Sequence, residues 1–156
     1  MKAISLLQPW ATLVALKLKT IETRTHGRFA SLWGERVAIH AAKKIDEAVF
    51  SDHHIIEMIL EKSGGPLERL THVNNLIYAS RMFAGKILCT AQVFNARWAP
   101  DVDFEMRENW NKQALCEVAG KYCLFLGDIK ILKKPIPYKG RQGIFEVPEE
   151  VINDQQ

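Results

Sequence analysis

Hydrophobic and polar positions alternate at the start of the chain, so Lys2-Ala3-Ile4-Ser5-Leu6 reads as a short strand. Gln8-Pro9 then fits a helix entry, because proline is tolerated in a first helical turn. Trp10, Leu13, Val14 and Leu18 recur at helical spacing and form one apolar stripe, with Lys17 beside it. Residues 20–25 and 36–40 return to alternation; in the second, Val37 and Ile39 share one side while Arg36, Ala38 and His40 share the other. Between them, His26-Gly27-Arg28 and Trp33-Gly34-Glu35 read as turns. Residues 45–62 carry Ile45, Val49, Ile56, Ile59 and Leu60 in helical register and stop at Ser63-Gly64-Gly65-Pro66; a shorter helix is expected within 67–82. The apolar run 87–94, bounded by Gly85-Lys86 and Asn95, predicts a strand buried on both faces or closed into a barrel. Three more strands are expected at 122–126, 129–132 and 143–147, partial helix within 101–119, and a short helix at Glu149-Glu150 before a frayed tail at about 153–156.

Six or so strands whose helices do not alternate regularly with them predict an α+β fold centred on a small barrel or curled sheet. The 156 residues suit one core, and neither a repeat nor a linker divides them, so 1–156 is expected to be a single domain. Hydrophobic residues at 47% and charged residues at 25% are the balance of a soluble globular chain. The apolar stretch around 13–18 is cut by Lys17 and Lys19, far short of the ~20 residues that span a bilayer. Gln8 and Pro9 interrupt the place where a signal peptide would be apolar. No membrane association and a cytoplasmic location are therefore expected. Cys89, Cys116 and Cys123 cannot pair off completely and match neither a disulfide framework nor a zinc spacing, which fits a reducing compartment and three core thiols.

A net charge of +3 says little, but its distribution is uneven. Lys130, Lys133, Lys134, Lys139 and Arg141 follow one another without an acid, after a segment holding Asp101, Asp103, Glu105 and Glu108. Lys43, Lys44, Lys139 and Arg141 are candidate phosphate contacts, or a solvated edge. Arg24 offers a planar fork to phosphate or carboxylate, and Glu22 shares its face of the predicted strand. They can act on a ligand together or form an ion pair that closes the barrel. Lys19 falls on the opposite face by strict alternation, and only a turn or bulge between Thr20 and Ile21 brings it to Glu22. If they meet, the lysine can polarise an amide carbonyl while the carboxylate moves protons. Gln8 and Trp10 offer an amide for a base edge and a ring for stacking, or else helix entry and packing. His26 and His40 either border a cleft or are structural. His53, His54 and His72 lack partners at ligand spacing, and no phosphate-cradling glycine loop, nucleophile elbow or dinucleotide fingerprint is present, so neither metal nor cofactor is expected.

Several stretches then carry a resemblance. Ser5-Leu6-Leu7-Gln8-Pro9-Trp10-Ala11, followed by Leu18-Lys19-Thr20-Ile21-Glu22-Thr23-Arg24, resembles the opening of ASCH domains, where a QPW or QPY helix start precedes a GxKxxExR-like element. Lys17 stands where glycine is usual. Gly85-Lys86-Ile87 with Val93 is similar to the family's buried central strand. Pro135-Ile136-Pro137-Tyr138-Lys139-Gly140 with Gly143-Ile144-Phe145-Glu146-Val147 resembles the closing segment of longer members, including the endothelium-and-lymphocyte-associated ASCH proteins. The matching pieces run from residue 4 to about 148. The resemblance implies a PUA-like small β-barrel of about six strands flanked by two to four helices, with a cleft that recognises RNA or a modified nucleoside. It also implies alternatives: an N4-acetylcytidine amidohydrolase, a ribonuclease, or a protein-interaction module. In the amidohydrolases Lys19 matches the catalytic lysine, Glu22 stands where they have threonine, and the distal glutamate would be Glu105, Glu108 or Glu117.

Overall fold

The computed structural model describes residues 1–64, 69–99 and 104–155, with residues 69–72 described by their backbone alone. Gly65, Pro66, Asp101, Asp103 and the side chain of His72 thus lie outside the described residues.

The opening alternation forms β1 (Lys2–Gln8), and Trp10–Ala15 form α1, entered through Pro9. Gln8 anchors that entry, because its Oε1 accepts both the Thr12 amide (3.1 Å) and the Thr12 hydroxyl (2.9 Å). After α1 the chain turns through Lys17, whose φ is +62°. That left-handed conformation explains why glycine would be the natural occupant of this position. β2 (Ile21–Arg24) and a 3-10 turn (Gly27–Leu32) lead to β3, which runs Arg36–Ile45, five residues beyond the expected strand.

The helix expected over 45–62 is divided. Glu47–Ser51 are a 3-10 turn, and α2 (His53–Lys62) starts only after Asp52, whose Oδ1 accepts the amides of His54 (3.0 Å) and Ile55 (3.1 Å). A helical apolar period that spans a good cap residue is cut at the cap. α3 (Arg69–Phe83) leads into β4 (Lys86–Trp98), and α4 (Phe104–Ala114) occupies part of the segment expected to be partly helical. The two strands expected at 122–126 and 129–132 are one long β5 (Tyr122–Pro137). Gly127 and Asp128 between them form an irregularity within it, marked by φ +40° at Asp128 and a register shift opposite 90–92. β6 (Ile144–Glu146) and α5 (Glu149–Asn153) finish the chain.

The six strands form one mixed sheet in the order β2-β5-β4-β3-β1-β6. Only β1 and β3 run parallel; the other neighbours are antiparallel. Ile4, Leu6, Val37, Ile39, Cys89, Ala91, Val93, Leu124 and Leu126 meet inside its curl. α1, α2 and α3 share a second core around Leu13, Ile56, Ile59 and Leu60, while Trp110 of α4 packs on Phe125 of β5.

The sheet is α+β and six-stranded, but it is not a closed barrel. β6 pairs with β1 only over Lys2, Ala3 and Ile4, and among the described residues no strand covers the outer edge of β1 from Ser5 onward. The sheet curls until β2, at its far end, reaches that edge. There a side chain replaces the backbone ladder: Arg24 Nη2 donates to Ser5 O at 3.1 Å. This seam, held by a guanidinium, opens the molecule's cleft.

Candidate functional site

The cleft encloses about 1300 Å³ and is walled by β1, β2, the end of β3, the start of β4 and the 137–143 segment. On one side lies a buried charge network. Lys19 is only 2% exposed; its Nζ donates to Ala114 O at 2.5 Å and stands 3.6 Å from Glu22 Oε2. Glu22 Oε1 lies 3.3 Å from Arg24 Nε. The expected obstacle between Lys19 and Glu22 does not arise, because β2 begins only at Ile21. Lys19 precedes it in a connector held by Lys19 N to Leu13 O and Thr20 N to Gln113 O, so alternation does not extend to it. Two cations flank one carboxylate, which leaves a net positive charge at low exposure. The Trp10 ring faces Lys19 Nζ at 5.0 Å, and the Phe29 ring faces the Arg24 guanidinium at 4.6 Å.

Arg24 Nε is buried without an aligned acceptor among the described residues, so the ion pair does not spend all of the guanidinium's donors. Trp10 Nε1 donates to Asp46 Oδ2 at 3.2 Å, fixing the indole in the cleft wall. Around the opening stand Lys43, Lys86, Lys121, Lys139 and Arg141, none of which makes an ion pair among the described residues.

The structure thus brings together Trp10, Lys19, Glu22, Arg24, Lys43, Lys139 and Arg141 of the residues singled out in the sequence. Two stand apart. Gln8 is wholly buried, with its carbonyl committed to Thr12, and does not line the cleft. Lys44, next to Lys43 on β3, is exposed outside the cleft because successive strand residues face opposite ways. Glu105, Glu108 and Glu117 are exposed and none lines the cleft. Glu117 is engaged elsewhere: its carboxylate accepts from Ala119 N and Asn111, which together lower its pKa.

The sequence reading missed Ser5, Asp46, Lys86, Lys121 and Cys116 in the walls. No local signal marks them, since they come from five separate segments. His40 does border the cleft, while His26 caps the 3-10 turn and stacks on Phe29. Cys89 and Cys123 are buried, their thiols pushed up to about 12 and about 11 by desolvation, whereas Cys116 is half-buried in the cleft wall.

The six-stranded, curled mixed sheet with its flanking helices is an α+β fold, shared with a solved ASCH structure. One solved structure of this fold is ASCH from Zymomonas mobilis, similar with a TM-score of 0.54 at 12% identity over 97% of this chain and 90% of that one. Two structures of single-substitution variants of the same Zymomonas mobilis protein align with TM-scores of 0.49 and 0.46 at 11% identity, each over 98% of this chain and over 94% and 92% of theirs. No protein-family model matches the chain.

Proposed function

We propose that this chain is an ASCH-family recognition protein whose cleft holds RNA or a modified nucleotide. The observation that supports the reading is the lining: Lys43, Lys86, Lys121, Lys139 and Arg141 border one cleft, and none of them makes an ion pair among the described residues, while the cleft's carboxylates Glu22 and Asp46 are engaged with Lys19, Arg24 and Trp10. Five cations around a concavity, unpaired among the described residues, favour a polyanion over a neutral ligand. Trp10, beside Lys19 and anchored by Asp46, supplies an aromatic wall for a base, and Arg24 supplies a fork for phosphate or base edge. No helix among the described residues is long and apolar enough to cross a membrane.

The test is fluorescence polarisation of a labelled single-stranded RNA across a salt series. Affinity falls as salt rises, and Lys139→Ala with Arg141→Ala flattens the log–log slope by about 0.7 per phosphate contact removed. A slope unchanged in the double variant sinks the assignment of these two residues.

A second reading has one observation in its favour: Lys19 and Glu22 do meet, 3.6 Å apart, within the cleft. In an amidohydrolase acting on N4-acetylcytidine, Lys19 polarises the acyl carbonyl and Glu22 moves protons. The distal glutamate of that mechanism has no counterpart at the cleft among Glu105, Glu108 and Glu117. Turnover of acetylcytidine that Lys19→Ala abolishes would establish this reading; no turnover at high enzyme concentration leaves recognition alone.

A further inference from the structure

Recognition of a polyanion leaves one pair of side chains in the cleft without a task. Ser5 and His40 are direct partners in the parallel β1–β3 register. Both face away from the core that those strands fill with Ile4, Leu6, Ile39 and Ala41, and His40 packs edge-on to Phe145 of a second apolar cluster on the other face of the sheet. Ser5 Oγ lies 3.0 Å from His40 Nδ1, and His40 Nε2 lies 3.1 Å from Tyr138 O. A carbonyl only accepts, so Nε2 carries the proton, and the Nδ1 lone pair is left to receive the Ser5 O–H. Burial lowers the His40 pKa, which keeps the ring an unprotonated base at neutral pH.

The backbone above this pair is shaped to it. A Cβ placed on Gly140 would fall 2.8 Å from Ser5 Oγ and closer still to His40 Cε1 and Nδ1, so only glycine lets this segment lie against both. Arg24 reaches the same residue, donating to Ser5 O while its Nε lacks an aligned acceptor among the described residues. A hydroxyl bonded to a base, a base oriented by a second acceptor, and a cation beside them are the parts of a nucleophilic site.

We propose that Ser5 is a nucleophile and His40 its general base in a hydrolytic use of the cleft, on a small ester or amide of an anionic molecule. Ser5 Oγ attacks the acyl carbon and passes its proton to His40 Nδ1, while the Arg24 charge stabilises the oxyanion. Collapse breaks the bond to the leaving alcohol or amine, which takes the proton back from His40. Water, deprotonated by His40, then attacks the Ser5 ester, releases the carboxylic acid and restores the hydroxyl. The activity goes beyond recognition and does not require RNA to be the ligand.

The experiment treats the full chain with a fluorophosphonate probe and maps the adduct by peptide mass. In parallel, hydrolysis of 4-nitrophenyl acetate is compared with that of the negatively charged 4-nitrophenyl hemisuccinate. The expected result is an adduct on Ser5, hydrolysis reduced at least about 100-fold by Ser5→Ala and by His40→Gln, and a lower KM for the hemisuccinate. Because His40→Gln also removes packing, Ser5→Ala decides if the histidine variant fails to fold. Absence of a Ser5 adduct, or a hydrolysis rate unchanged in Ser5→Ala, overturns the proposal; equal KM values for the two esters overturn the anionic substrate class.

Discussion

Adding one methyl group at Gly140 tests the cleft floor directly. The new Cβ would lie 2.8 Å from Ser5 Oγ and nearer to two atoms of the His40 ring, all inside the distance that real Cβ atoms keep. His40 cannot yield cheaply, since it is 3% exposed, bonded at both ring nitrogens and set edge-on to Phe145. The strain must therefore be taken by the 138–143 segment or by the Ser5–His40 bond. Overpacking of this kind costs about 1–3 kcal/mol, and each kcal/mol lowers Tm by roughly 2–4 °C in a chain of this size. Gly27→Ala is the matched control, because its Cβ would meet Tyr122 at 3.4 Å, ordinary contact, and its backbone is not left-handed. That variant is expected to be neutral or to gain about 0.4–1 kcal/mol from the loss of unfolded-state freedom. Urea unfolding of wild type and the two variants separates the signs. A Gly140→Ala midpoint equal to or above that of wild type would refute the close approach of this segment to Ser5 and His40.

Three further outcomes are expected. Lys17→Gly relieves a left-handed lysine and raises stability by about 0.5–1 kcal/mol, the strain of roughly 1–2 kcal/mol less the entropy glycine loses on folding, read as an increased urea midpoint. Glu22→Gln leaves Lys19 buried without its counter-ion and costs about 3 kcal/mol or more, whereas Lys19→Met costs less because Glu22 keeps Arg24; a reversed order in chemical denaturation would show that the Arg24 pair carries no weight. His40 has a folded pKa below the usual 6.5, so the unfolded chain takes up its proton first as pH falls. Stability from this group is complete above pH 6.5 and declines from there down to the folded pKa, with a slope of at most about 1.4 kcal/mol per pH unit. The wild-type advantage over His40→Gln should therefore shrink between pH 7 and pH 5.5, and an advantage constant over that range contradicts the assignment.

Local chemistry was legible along the chain wherever one short segment decides the outcome. Alternation located the cores of β1, β2 and β3, and the apolar run of β4 was visible because interior strands need apolar residues on their buried positions. Glu22 and Arg24 could be paired from a two-residue spacing, since a strand repeats its facing every second residue. Periodicity failed where a local hydrogen bond overrules it, as at Asp52, and where an irregular strand continues through glycine, as at Gly127. It also could not show that Lys19 meets Glu22, because the backbone turn before Ile21 is held by Gln113 and Leu13 from other elements. Closure lay equally out of reach. Whether six strands seal into a barrel depends on where β6 stops on β1, and it stops at Ile4, leaving Ser5 O to Arg24 and opening the seam. Ser5, His40, Tyr138 and Gly140 become one site only when strands 35 residues apart in sequence lie side by side and a segment nearly 100 residues further on folds over them. A sequence states which groups a chain possesses and how each segment prefers to fold; which of them share a cleft is a property of long-range packing, to which no single segment holds the information.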